Sequence, residues 1–71
     1  MTAEQAGSSA LAALRSIRAQ RSSLDRREYA MLQSARALGV NWERAGEALG
    51  LDSADATRER HEELGKRIGP A

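Results

Sequence analysis

Few folds accommodate the stretch ARALGVNWERAGEALGL, Ala35–Leu51. Gly39 follows a run of good helix formers, and Asn41, a natural N-cap, comes two residues later, so one helix stops and the next starts with almost no linker. Within the short helix that follows, Trp42, Ala45, Gly46 and Leu49 share one face at helical spacing. Gly50 then supplies a positive-φ exit ahead of Leu51, an apolar anchor. Asp52 and Ser53 can each cap a further helix, whose Ala54, Thr57, His61, Leu64 and Ile68 form a single narrow buried stripe.

Upstream, Met1–Gly7 reads as a short polar tail ending in glycine, so the expected flexible tail is 1–8 and structure begins near Ser8 or Ser9. Ala10, Ala13, Leu14 and Ile17 share a helical face up to about Ser22, with Arg21 on the same side. Ser23, Leu24 and Asp25 mark the next boundary: Asp25 and Glu28 imitate a capping box, and Leu24 and Tyr29 stand at the spacing of a hydrophobic staple. Met31, Leu32, Ala35 and Leu38 give the second helix its buried side. The breaks predict a small all-α four-helix bundle with helices near 9–22, 25–38, 42–49 and 53–67. The last three form a tri-helical helix-turn-helix, the first packs across them, and residues 9–69 make one domain followed by a 70–71 tail.

The motif resembles the helix-turn-helix of small actinobacterial regulators and of sigma-factor region 4, whose wording runs roughly Arg-Ala-x-Gly-x-Ser/Asn-Trp-x-x-Ile/Ala-Gly/Ala-x-Ala-Leu-Gly-Leu-Ser. The likeness covers about Ala35 to His61, with Asn41-Trp42 opening the first motif helix, Gly46 at the small-residue position, and Leu49 and Leu51 flanking the turn glycine. It implies a helix starting near Ser53 that enters the major groove, and hence a DNA-binding regulator of transcription. The chain departs from the family at Ala54 and Asp55, where an Arg-Gln pair is common.

Charge is distributed unevenly. Arg15, Arg18, Arg21, Arg26, Arg27, Arg36 and Arg44 face only Asp25, Glu28 and Glu43 between residues 15 and 44, a balance of +4. From Ala45 onward four basic residues meet six acids, a balance of −2, although the whole chain carries +1. Duplex binding rests first on phosphate neutralisation. Arg26, Arg27, Arg36 and Arg44 are therefore the expected phosphate contacts, and Ser53, Arg58 and Arg60 the expected groups at the groove. The alternative is a protein-interaction module on the same scaffold, its basic first half and acidic last helix engaging a protein partner.

Enzymatic chemistry is not expected. There is no cysteine, one histidine, no Phe and one Trp, so no catalytic residue, metal ligand set or cofactor site is assigned. Trp42 reads as a packing residue and His61 as a hydrogen-bonded structural one. No apolar run approaches a membrane span, and MTAEQAGSSA lacks the basic start and apolar core of a signal peptide, so the expected location is cytoplasmic. A chain of 71 residues is small for a self-sufficient core, which makes a homodimer through the first helix the expected assembly.

Overall fold

The computed structural model describes residues 2–68, which are all-helical with no strand among them. There are three helices: α1, Ala3–Ala37; α2, Trp42–Leu49; and α3, Ala54–Ile68. The expected 70–71 tail lies outside the described residues.

The four-helix expectation is corrected to three, because α1 runs without interruption through the expected break at Ser22–Leu24. Two serines in sequence cost a helix only a few tenths of a kcal/mol each, and no glycine or proline stands near them to enforce a stop. Asp25 and Glu28 do not cap anything. Their carboxylates turn toward α3 and meet Arg60 and Arg67, while Leu24 is exposed and staples nothing. The helix also starts earlier than expected, at Ala3. Thr2 caps it reciprocally with Gln5: the Thr2 hydroxyl accepts from the Gln5 N–H at 3.1 Å, and the Thr2 N–H donates to Gln5 Oε1 at 2.8 Å.

The ends of the other segments follow the glycines. Gly39, at φ +87°, closes α1 with the Val40 N–H donating to the Ala35 carbonyl at 2.9 Å and the Gly39 N–H to the Arg36 carbonyl at 3.0 Å. Gly50, at φ +76°, closes α2 in the same way onto Gly46 and Glu47. Asn41 caps α2 by accepting from the Arg44 N–H at 2.8 Å, and Ser53 caps α3 by accepting from the Ala56 N–H at 3.0 Å.

Packing is confined to one end of α1. Leu32 of α1, Ala45 of α2 and Leu64 of α3 are buried together, with Tyr29 and Val40 against them. Thr57 is fully buried under α2, where its hydroxyl donates to the Ser53 carbonyl at 2.9 Å. A β-carbon at Gly46 would collide with that hydroxyl, so the glycine sets how closely α2 and α3 approach. α3 continues through Gly65. This glycine makes room for the Tyr29 ring, whose Cε2 would lie 3.3 Å from a β-carbon there.

The segment expected to pack across the motif does not. The N-terminal half of α1 projects beyond the three-helix unit as a stalk, leaving Leu11, Leu14 and Ile17 at 53%, 60% and 41% exposure. At about 1.5 Å per residue a 35-residue helix is about 52 Å long, which accounts for the 55 Å long axis of the molecule.

Candidate nucleic-acid interface

Trp42 opens α2 at the point where the three helices meet. The Arg36 guanidinium lies over its ring, 4.6 Å from the centroid, while the Arg36 NH1 donates to the Val40 carbonyl at 3.2 Å. From α3, His61 tilts against the same indole at 5.4 Å and stacks almost parallel on Tyr29 of α1 at 4.7 Å. The hydrogen-bonded structural role expected of His61 is corrected to a packing one: the ring is held by stacking, and its buried Nε2 has no hydrogen-bond partner among the described residues. Arg44, two residues further on, is exposed in the first turn of the same helix. Two cations thus stand at the positive end of the α2 dipole, one of them held in orientation by an aromatic face.

The other predicted contacts divide sharply. Arg26 and Arg27 are exposed on α1, and neither takes part in an ion pair among the described residues. Ser53 is exposed, although its hydroxyl already serves as the α3 cap. Arg58 is exposed one turn into α3, 3.6 Å from Asp55, in a pair that competing water and salt weaken.

Arg60 is not presented to any groove. Its Nε donates to Glu28 Oε2 at 2.8 Å and its NH2 to Glu28 Oε1 at 3.2 Å, a bidentate bridge between α3 and α1, with Asp25 4.0 Å away. Its pKa is raised above the ordinary arginine value, first by the Glu28 hydrogen bond and then by the charges of Glu28, Asp25 and Glu63, against the opposing effect of burial. Arg67 joins the same cluster, 3.5 Å from Asp25 and 2.6 Å from Glu63. Glu63 and Arg67 are an i, i+4 pair that the sequence shows, but sequence reasoning missed the bridges from Arg60 and Arg67 across to α1. The only signal for them was that Arg60 and Arg67 recur on one side of α3 at a spacing of seven.

The outward face of α3 carries Asp55, Glu59, Glu62 and Glu63 against Arg58 and Lys66. The surface offering cations is consequently α1 and the start of α2, with Arg58 alone on α3 near its N-terminus. No group of acidic or histidine side chains among the described residues could hold a metal ion. No described helix is long and apolar enough to cross a membrane. Comparison with protein-family models, with curated proteins and with solved structures returns no match.

Proposed function

We propose that this chain is a cytoplasmic helix-turn-helix protein that binds double-stranded DNA and regulates transcription. One observation carries the reading: α2 and α3 are sealed at Gly46 and Thr57 and joined through the positive-φ Gly50, with Ser53 and Arg58 exposed at the start of α3 and Arg36 held over Trp42 at the start of α2. Affinity comes mainly from phosphates through Arg26, Arg27, Arg36 and Arg44. Arg58 is the residue placed to touch a base edge, with Ser53 at the helix start; Arg60, tied to Glu28, has a structural role and leaves the set of readers.

The test is a salt titration of binding to random duplex DNA. Four arginine–phosphate contacts give a log–log slope of roughly −3 to −4. Affinity that does not change with salt, or no binding at low salt, rejects the proposal.

A second reading has its own support in the exposed acids of α3. On it, the face bearing Glu59 and Glu63 docks a basic protein surface, and reversing those charges abolishes capture while helicity is retained.

A further inference from the structure

Along α1 and its C-cap, five of the six exposed large apolar residues follow a heptad spacing of alternating threes and fours: Leu14 and Ile17, then Leu24, then Met31, then Leu38, with Leu11 outside the series. The three interior places in that series are filled by Arg21, Glu28 and Ala35, the first two being charges of opposite sign one heptad apart. At its C-terminal end the stripe becomes one wall of an open apolar groove of about 510 Å³, where Leu24 and Met31 of α1 face Ala48 and Leu49 of α2. At its N-terminal end it is the bare stalk. One helix therefore carries both an apolar ridge and one wall of an apolar groove, and the ridge cannot fold back into its own groove because the helix between them is unbroken.

We infer that a second copy of this chain covers this face, with the two α1 helices antiparallel about a two-fold axis near Leu24. In that arrangement the stalk of each protomer, through Leu14 and Ile17, lies in the groove of the other beside Met31 and Leu49, and the two contacts are the same by symmetry. Charge selects both the partner and the direction. Antiparallel pairing sets Arg21 of one copy beside Glu28 of the other, twice; parallel pairing sets Arg21 against Arg21 and Glu28 against Glu28. The intramolecular cluster next to the axis leaves room for this cation, since Asp25, Glu28 and Glu63 outnumber Arg60 and Arg67. Arg21 has no acidic partner within its own chain among the described residues.

The inference shares Arg27, which lines the groove, with the DNA-binding reading, but its test contains no DNA. Sedimentation of the full chain at micromolar concentration gives a dimer; a monomer at millimolar concentration overturns the proposal, whatever else occupies the groove. Orientation is read by disulfide formation, which the absence of native cysteine makes clean. Leu24→Cys links to itself, whereas Ile17→Cys and Met31→Cys link to each other when mixed and not to themselves. Self-linking of Ile17→Cys would mean a parallel pair and overturn the geometry. Arg21→Glu weakens the dimer at least about tenfold; an unchanged dissociation constant refutes the charge argument. All four positions are exposed in the single chain, so Trp42 fluorescence should show the junction of the three helices assembled in each variant as in the parent protein.

Discussion

Arg60 and Glu28, 32 residues apart in the chain, face each other across the α1–α3 interface through two hydrogen bonds, and this pair holds the stalk-bearing helix to the motif. A fully buried charged bridge of this kind contributes about 1.5–3 kcal/mol. The Arg60 side chain is 35% exposed and solvent screens it, so Arg60→Ala should destabilise the protein by only about 1 kcal/mol. Thermal unfolding should show the midpoint falling by roughly 4–8 °C, with less difference from the parent protein at high salt. The same variant should leave DNA sequence preference unchanged. A relaxed preference at one base pair would return Arg60 to the groove.

Gly46→Ala should be more damaging than its small size suggests. Alanine favours helix by about 1 kcal/mol, but its methyl group would collide with the Thr57 hydroxyl, and overpacking of this sort costs about 1–3 kcal/mol. Chemical denaturation should show a net loss. Thr57→Ala, by removing that hydroxyl, should make the double variant less unstable than the sum of the single ones.

Much of the motif was legible because its determinants are local. Gly39, Asn41, Gly50 and Ser53 each act within four residues of their own position, and all stand where the sequence placed them. The stripe Thr57, His61, Leu64 likewise faces inward, as its spacing requires. What was not legible is non-local. Asp25 and Glu28 have the identities and spacing of a helix cap, and nothing near them reveals that their partners lie on α3. Leu11, Leu14 and Ile17 form a sound amphipathic face, but periodicity says which side is apolar and not what covers it. Arg60 was misplaced for a related reason: its position beside the buried stripe suits a groove contact or an interhelical bridge equally well.

Ser23→Ala separates one helix from two. In a continuous helix the substitution replaces a weaker helix former with the strongest, raising helix stability by a few tenths of a kcal/mol. Had the chain broken here, Ser23 would lie between the two helices, ahead of the expected Asp25 cap, and the substitution would bring no such gain. Amide hydrogen exchange across residues 20–28 shows the gain directly.

For DNA binding, Arg36→Ala and Arg44→Ala should weaken attachment to all duplexes and reduce the salt slope by up to about one unit each. Arg58→Ala should instead cost roughly 1–3 kcal/mol at a single base position. Asp55→Gln removes both a repulsive acid and the Arg58 ion-pair partner, so it should tighten binding. If random-duplex affinity stays in the range of about 10⁻⁴ to 10⁻⁶ M and no variant alters sequence preference, base reading is excluded.

The only tryptophan in the chain is Trp42, and it touches Arg36 of α1 and His61 of α3 at the junction of the three helices. Its fluorescence is therefore a built-in gauge of whether that junction is assembled, with an imidazole close enough to quench it. The stalk is outside its view. Far-UV circular dichroism, by contrast, counts every helical residue, roughly half of α1's contribution coming from the exposed stalk. On dilution or warming the two signals should part company, ellipticity declining first as the stalk frays and emission shifting only when the junction opens. The distance between those two midpoints is an optical measure of how far the stalk depends on a neighbour.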